Sequence, residues 1–210
     1  MSIPTSQSLN HHQTQQQKKA IRHQVRKLRN EISGAEAKQA GLDLAERLKS
    51  NPDYIKAKRV ACFISFDGEI DTQPVIDLIL EDKDICYLPK IKPTKPNRLW
   101  FMPYDKETQL VKSKLLIPEV DLPVNQAIAV SKLDMILMPL VAFDEQGNRL
   151  GMGGGYYDAT LAHFSQKPSS KPQCIGIAYQ QQMVEQIPTE EWDFALDGVL
   201  TQNESYSFSF

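Results

Sequence analysis

Residues 135–143 read MILMPLVAF and lead into residues 147–158, which read GNRLGMGGGYYD. The first stretch is the most apolar of the chain and predicts a buried strand, because strands inside a parallel sheet are covered on both faces. The second stretch holds four of the ten glycines. Glycine has no Cβ atom, so this backbone can turn tightly and bring its N–H groups against a ligand. A strand that ends at such a loop predicts an α/β domain with a ligand site at the end of the strand.

Two charged side chains border the glycines, Arg149 before them and Asp158 after them. A cation, an open backbone and a carboxylate together suit a polyphosphate with a divalent metal. The alternative is a glycine turn before a helix, with Asp158 facing the helix dipole and Arg149 in a surface ion pair with Asp144 or Glu145. The run matches neither G-x-x-x-x-G-K-[ST] nor G-x-G-x-x-G, so neither common nucleotide fingerprint applies.

Outside this stretch, apolar runs and helical patterns alternate. Further strands are expected at residues 59–66, 85–88, 99–102, 174–179 and 199–200. Four helices are expected. One covers residues 16–31, one begins at a capping box formed by Ser33 and Glu36, one covers residues 72–80 and one covers residues 156–164. This order predicts a single layered α/β domain over residues 16–210, with a central mixed, largely parallel sheet flanked by helices. Residues 1–15 are polar and Gln-rich and predict a disordered leader.

Composition excludes several classes of partner. The chain has 210 residues and a net charge of −2, which gives no global attraction to nucleic acid or to an anionic membrane. The three cysteines, Cys62, Cys86 and Cys174, lie in apolar runs and are expected to be reduced core residues of a cytoplasmic protein. No secretory signal and no apolar run of transmembrane length is seen. We expect a monomer that acts on small molecules.

The segment MPLVAFDEQGNRLGMGGGYYDATLA, residues 138–162, resembles the signature of the 5-formyltetrahydrofolate cyclo-ligase family. Lys18 to Arg22, residues 65–72 (SFDGEIDT) and the tail from Pro188 to Thr201 resemble further family elements in the same order. The resemblance covers nearly the whole chain after the leader. It implies an enzyme that uses ATP and Mg²⁺ to convert 5-formyltetrahydrofolate, with or without a polyglutamate tail, to 5,10-methenyltetrahydrofolate, ADP and phosphate. The formyl oxygen would be phosphorylated, and N10 would then attack the activated carbon.

The resemblance implies that basic side chains and the glycine loop bind ATP. Arg149 is the candidate for the γ-phosphate, since a planar guanidinium suits phosphate oxygens. Lys18 and Arg22 lie one helical turn apart and would contact the phosphates, although a solvated basic face is the alternative. We expect Arg149 and Tyr156 to be the catalytic pair. The remaining ATP-binding candidates follow Arg149 without a break: Leu150, Gly151, Met152, Gly153, Gly154, Gly155, Tyr156 and Tyr157.

Carboxylates are the metal and folate candidates. Asp158 is the first candidate Mg²⁺ ligand, and Asp197 is the second by family position only, with a turn residue as its alternative. Asp193 is a less favoured metal ligand. Glu69 would accept paired hydrogen bonds from the amino-pyrimidine edge of the pterin, unless it is a plain loop charge. Apolar contact with the folate would come from Ile64, itself a possible core residue, and from Met152, with Gly153, Gly154, Gly155 and Tyr156 beside them.

Two other functions share the same scaffold. A binder of folate or nucleotide without turnover would keep the loop, but intact Arg149, Asp158 and Asp197 argue against it. A phosphosugar isomerase would use the glycine loop for a sugar phosphate, but the sequence places no general base beside it.

Overall fold

The computed structural model describes residues 6–94, 97–112, 117–166 and 171–208. The helices in these ranges are α1 (Ser6–Asn30), α2 (Gly34–Lys49), α3 (Pro52–Lys56), α4 (Gln73–Lys83) and α5 (Tyr156–Leu161), with short 3₁₀ turns between strands. The strands are β1 (Val60–Ala61), β2 (Cys86–Ile91), β3 (Leu99–Tyr104), β4 (Leu110–Lys112), β5 (Pro118–Val120), β6 (Met135–Pro139), β7 (Ala142–Phe143), β8 (Arg149–Leu150), β9 (Gln173–Ile177), β10 (Gly198–Leu200) and β11 (Ser205–Ser207).

A seven-stranded sheet forms the centre of the molecule, in the order β11-β10-β9-β6-β1-β2-β3. The five inner strands run parallel, while β3 and β11 pair antiparallel at the two edges. The pairs β4-β5 and β7-β8 form two small antiparallel ribbons. The predicted α/β layered domain with a mixed, largely parallel sheet is confirmed.

Alternating residues of the central strands build two apolar layers, one on each face of the sheet. Val60, Met135 and Leu137 face a core formed with α2 and α4. Ala61 and Ile136, one residue away along the same strands, face a second core formed with α5 and the turn after it. Because side chains of a strand point alternately to opposite faces, two-sided burial makes these strands continuously apolar.

The capping box predicted for α2 is present. The Ser33 hydroxyl accepts a hydrogen bond from the N–H of Glu36, and the Glu36 carboxylate accepts one from the N–H of Ser33. Thr72 precedes α4, but its side chain makes no cap hydrogen bond there. Its hydroxyl instead donates to the carbonyl of Phe63 at 2.6 Å and accepts from the N–H of Ser65 at 3.1 Å. Thr72 therefore ties the loop after β1 to the start of α4.

Two predicted strands are shorter than expected, so those predictions were wrong in extent. The strand expected at 59–66 ends at Ala61, because the Thr72 side chain takes the backbone groups of the following residues. The strand expected at 135–143 leaves the sheet after Pro139. The Gln182 amide donates to the carbonyls of Leu140 and Val141, both at 2.9 Å, and the chain continues as β7 in a separate ribbon.

The start of α1 differs from the predicted disordered leader. The helix already begins at Ser6, and residues 1–5 lie outside the described ranges. Contacts with a distant segment hold this part of the helix, since His11 and Gln15 both reach the carboxylate of Glu190, at 2.5 Å and 2.7 Å. The division of the chain into a leader and a domain stays a prediction.

The three cysteines are free and buried, as predicted. Among the described helices, none is long and apolar enough to cross a bilayer.

Candidate active site

The predicted site lies at the centre of the sheet, where the connections change direction. The strands that follow β1 in sequence lie on one side of it, and β6 with the strands that follow it lie on the other. In open α/β sheets ligands bind beyond the carboxyl ends of strands at such a switch point. The turn at residues 66–69 follows β1 here, and the glycine loop at residues 151–155 follows β6 through the small ribbon.

A cavity of about 800 Å³ opens between these two loops. Its size lies within the range of small-molecule and cofactor sites. Helix α1 closes one side of it, and the segment at residues 190–193 closes another. The structure gathers these sequence-predicted site residues in its lining: Lys18, Arg22, Ile64, Glu69, Arg149, Leu150, Gly151, Met152, Gly153, Gly154, Gly155, Tyr156, Tyr157 and Asp158.

The glycine loop has the backbone conformation that its sequence predicts. Gly153 and Gly155 have φ angles of 102° and 65°, which L-residues with side chains rarely adopt. A Cβ atom on Gly154 would lie 2.6 Å from the Tyr156 ring. A side chain is thus excluded by space at Gly154 and disfavoured by backbone conformation at Gly153 and Gly155.

Arg149 and Asp158 form an ion pair in this wall. The Arg149 guanidinium donates to Asp158 Oδ1 at 2.5 Å, and its side chain is only 4% exposed. The surface pairing with Asp144 or Glu145 is therefore not what the structure shows. Asp144 instead accepts hydrogen bonds from its own loop and from the N–H of Ile187. The Arg149 Nε atom is buried and has no hydrogen-bond partner among the described residues.

Helix α1 brings two cations to the cavity. The Lys18 ammonium lies 3.0 Å from Glu190 and 2.6 Å from Asp193, and only 5% of Lys18 is exposed. The Arg22 guanidinium donates to the carbonyl of Gly151 at 2.8 Å. The alternative of a solvated basic face is thus wrong for these two residues, because both are held against the cavity walls.

Glu69 lies at the other end of the cavity, half-buried. Its carboxylate accepts a hydrogen bond from the N–H of Phe66 at 3.2 Å. Burial raises the pKa of Glu69 to about 7, although the Phe66 N–H and the positive charge of Arg29 act in the opposite direction. Ile64 and Phe63 lie beside it in the same wall, so a carboxylate faces an apolar slot.

Two tyrosines follow the glycine loop. Tyr156 begins α5 and lines the cavity beside Gly154. Burial raises the pKa of Tyr157, so this phenol stays protonated and can only take part as a hydrogen-bonding group. The Tyr156 ring is thus better placed than Tyr157 to flank a ligand at the loop.

The structure does not bring the two predicted metal ligands into one lining. Asp197 is not among the described residues that line the cavity. Its Oδ1 accepts from Lys171 at 2.5 Å and its Oδ2 from the N–H of Cys174 at 2.8 Å, between the ends of neighbouring strands. Its role as a ligand stays a prediction.

Asp158 by contrast fits a Mg²⁺ site. Within the described ranges no group of three or more His, Cys, Asp or Glu side chains could hold a metal on its own. Mg²⁺ needs only one or two carboxylates when phosphates supply its other ligands. Asp158, a cavity carboxylate beside the glycine loop, meets that requirement.

On the acidic side of the cavity only Asp193 was a candidate from the sequence, as a less favoured metal ligand, and Glu190 and Glu191 were missed. Glu190 accepts from His11, Gln15 and Lys18, and lines the site with Glu191. The sequence shows an acidic run around Trp192, but this run lies more than 170 positions along the chain from the residues of α1 that it contacts. Sequence spacing gives no indication of such a contact.

Comparison with known proteins identifies the family of the chain. The model of the 5-formyltetrahydrofolate cyclo-ligase family matches residues 14–202. The chain belongs to this family. It is 39% identical over 184 residues to the 5-formyltetrahydrofolate cyclo-ligase of Escherichia coli (strain K12), with 88% of this chain and all of that protein covered. It is 38% identical to the cyclo-ligase of Haemophilus influenzae, covering 88% of this chain and 97% of the other.

Solved structures show the same fold. The structure of 5,10-methenyltetrahydrofolate synthetase from Aquifex aeolicus superimposes with a TM-score of 0.78 at 28% identity, covering 92% of this chain and 93% of that one. The family resemblance inferred from residues 138–162 is confirmed.

Proposed function

We propose that this cavity binds ATP at the glycine loop and 5-formyltetrahydrofolate toward Glu69, with the γ-phosphate and the formyl oxygen meeting between them. As a member of its family the chain is an ATP-dependent ring-closing ligase, which forms 5,10-methenyltetrahydrofolate from 5-formyltetrahydrofolate. The observation that supports this arrangement best is Arg149, a guanidinium that lines the cavity beside the glycines and is held there by a carboxylate partner.

The phosphate end relies on positive charge and open backbone. Phosphoryl transfer needs alignment and charge neutralisation more than covalent catalysis. Arg149 donates to the transferring phosphoryl group, while Lys18 and Arg22 neutralise the rest of the triphosphate. The N–H groups of the glycine loop approach the phosphates closely, because no Cβ atoms intervene. Asp158 would hold Mg²⁺, which when bound neutralises phosphate oxygens and orients them.

The folate end relies on one carboxylate in an apolar slot. Glu69, once ionised, accepts paired hydrogen bonds from the amino group and ring N–H of the pterin. Ile64 and Met152 contact its apolar faces, and both line the cavity. This arrangement would hold the formyl group near the glycine loop, within reach of the γ-phosphate.

ATP is needed because the formyl oxygen of a formamide is a poor leaving group until it is phosphorylated. That oxygen attacks the γ-phosphorus of ATP, and ADP leaves. The resulting O-phosphorylated iminium has an electrophilic carbon, which the N10 amine attacks to close the ring, and the N10 proton passes to a phosphate oxygen or to water. Breaking the bond between that carbon and its oxygen then releases phosphate and leaves the methenyl cation. Tyr156 flanks the reacting groups from the start of α5, and Arg149 stabilises the charge that develops on the phosphoryl oxygens.

The assay that tests this function follows the methenyl chromophore by absorbance. Purified protein is mixed with 5-formyltetrahydrofolate, Mg²⁺ and ATP, and ADP is measured in the same samples. We expect one ADP for each methenyl product and no product without ATP. Tight folate binding without turnover would favour the non-catalytic binder instead.

The metal assignment has its own test, a Mg²⁺ titration of the rate. Asp158→Asn should raise the Mg²⁺ concentration at half-maximal rate by about tenfold or more, since a ligand of the ion is lost. Asp197→Asn is measured beside it. A similar shift would make Asp197 the second ligand, whereas a lowered melting temperature with an unchanged Mg²⁺ response would assign it to the contacts with Lys171 and Cys174.

Three further properties are proposals that extend the same picture. The protein acts as a monomer in the cytoplasm, and it accepts folates with a polyglutamate tail. Size-exclusion chromatography with light scattering tests the first property. Comparing KM for mono- and polyglutamyl substrates tests the last.

A further inference from the structure

One face of helix α1 carries four basic side chains, of which Lys18 and Arg22 line the cavity. Lys18, Arg22, Arg26 and Arg29 are spaced by four, four and three residues, so they project from the same side of the helix. Lys18 reaches the acidic segment and Arg22 the glycine loop. Arg26 and Arg29 reach the turn at residues 66–69, which carries Glu69.

Of these four residues, Arg29 alone is both buried and outside the cavity lining. Only 3% of the residue is exposed, and its guanidinium donates to the backbone carbonyl of Asp67. The same group lies 3.6 Å from the Asp67 carboxylate. Its Nε and Nη1 atoms have no partner among the described residues. Burial lowers the pKa of Arg29, which reflects what it costs to keep a guanidinium in this position.

The turn that Arg29 contacts is strained. Asp67 has a φ of 53° and Gly68 a φ of 73°, so two successive residues adopt the left-handed region. A side-chain-bearing residue in that region persists only when its surroundings hold it there. Within the turn, the N–H of Glu69 donates to the carbonyl of Phe66 at 3.0 Å, and Tyr179 reaches the Glu69 carbonyl at 3.5 Å.

We propose that Arg29 is a positioning residue for Glu69, which holds the turn through the Asp67 carbonyl and thereby aims the Glu69 carboxylate at the pterin. The proposal rests on the proposed function, since it takes Glu69 as the folate contact. A buried guanidinium is an expensive way to tie down a surface turn, and exposed ion pairs such as that of Arg26 contribute little. The burial of Arg29 is explained if the Glu69 carboxylate must keep its orientation and its negative charge. The positive charge of Arg29 also favours the ionised form of Glu69.

The test is a double-mutant cycle between Arg29→Met and Glu69→Ala, read as KM for each substrate. Methionine keeps the length and the burial of the side chain but removes its charge and its donors. We expect Arg29→Met to raise the folate KM about tenfold or more while the ATP KM changes by less than about twofold. In the Glu69→Ala background the same change should add less than about twofold, because the carboxylate to be positioned is gone.

Arg26→Met is the matched control. Arg26 lies on the same helix and pairs with the same Asp67 at 2.8 Å, but its side chain is 48% exposed. It should leave both KM values within about twofold. If Arg29→Met does not fold, the cycle is run with Arg29→Lys, for which a folate KM raised about threefold, with no further increase beside Glu69→Ala, is expected.

Separate outcomes would overturn the proposal and the function beneath it. Equal effects of Arg29→Met on the folate and ATP KM values, effects that add to those of Glu69→Ala, or a wild-type folate KM in the folded variant would show a structural role only. A wild-type folate KM in Glu69→Ala itself would remove Glu69 from the substrate site, and the positioning role would fall with it.

Discussion

Two walls of the cavity are held by helix α1 through the same kind of hydrogen bond, but they present different chemical groups to a ligand. At the glycine loop, Arg22 of α1 donates to the carbonyl of Gly151, and at the turn after β1, Arg29 donates to the carbonyl of Asp67. Arg22 lines the cavity, whereas Arg29 is buried behind its wall. Arg22 faces the ligand and can exchange its hydrogen bond to the carbonyl for one to a phosphate oxygen. Arg29 lies behind the wall and can only position the residues of that wall, among them Glu69.

The roles of Arg22 and Arg29 therefore follow from where each lies relative to the cavity, and not from the type of contact that each makes. Both arginines make a charge-assisted hydrogen bond to a backbone carbonyl, and both walls contain residues with positive φ. The glycine-loop wall presents backbone and cations, which suit phosphates. The Glu69 wall presents a carboxylate among apolar side chains, which suits an amino-pyrimidine.

The largest expected effect lies at the glycine-loop wall. Arg149→Ala removes the buried guanidinium that would stabilise charge on the transferring phosphoryl group. We expect kcat to fall by about 10³-fold or more, within the range found for arginines that act on phosphoryl transfer. Stopped assays of methenyl product measure the rate, and circular dichroism checks the fold, since Asp158 loses its partner.

Arg149→Lys is the companion variant, because it keeps the charge but loses the planar fork. A rate between those of Arg149→Ala and the wild type is expected. A wild-type kcat in Arg149→Ala would remove the residue from the phosphoryl transfer and leave the glycine-loop wall without its main charge.

A smaller effect should separate Arg22 from Arg29. Arg22→Met removes a charged donor from the cavity lining, so the ATP KM should rise about tenfold or more while the folate KM stays nearly constant. Steady-state kinetics with each substrate varied in turn give both values. Lys19→Ala is the control, since Lys19 lies on the same helix but is exposed. If Arg22→Met raised the folate KM instead, the assignment of the two walls would be reversed.

The smallest effect concerns pH and the Glu69 wall. Burial raises the pKa of Glu69 to about 7 in the folded protein, above its value in the unfolded chain. Between about pH 4.5 and 7 the folded state therefore binds more protons at this site, so the site's contribution to stability falls as pH rises through that window. Melting temperatures of the wild type and Glu69→Gln over pH 4.5–8 should diverge accordingly.

In that experiment the wild type should lose stability relative to Glu69→Gln as pH rises toward 7, and the difference should level off above it. Parallel curves would mean that the Glu69 carboxyl titrates at an ordinary pKa, and that the slot around it is wetter than the structure shows.

Local sequence signals predicted most of the fold and the glycine-loop side of the candidate site. The apolar strands, the capping box of Ser33 and the glycine loop depend on neighbouring residues, so spacing predicts them well. Arg149 and Asp158 flank the same loop, and that position together with the family resemblance made both of them site candidates.

Long-range side-chain contacts decided what the sequence did not show. Thr72 and Gln182 take backbone groups that would otherwise extend β1 and β6. Glu190 meets Lys18 only after the chain has crossed the sheet several times. None of these pairings has a fixed spacing, so periodicity and motifs give no indication of them.

An ¹⁸O label tests most directly whether the formyl oxygen attacks ATP and leaves as phosphate. 5-Formyltetrahydrofolate carrying ¹⁸O in the formyl group is converted with unlabelled ATP and Mg²⁺, and the released phosphate is analysed by mass spectrometry. We expect one ¹⁸O atom in each phosphate that accompanies a methenyl product. Methenyl formation with unlabelled phosphate would mean that the oxygen leaves by another route, and would contradict the mechanism built on Arg149 and the glycine loop.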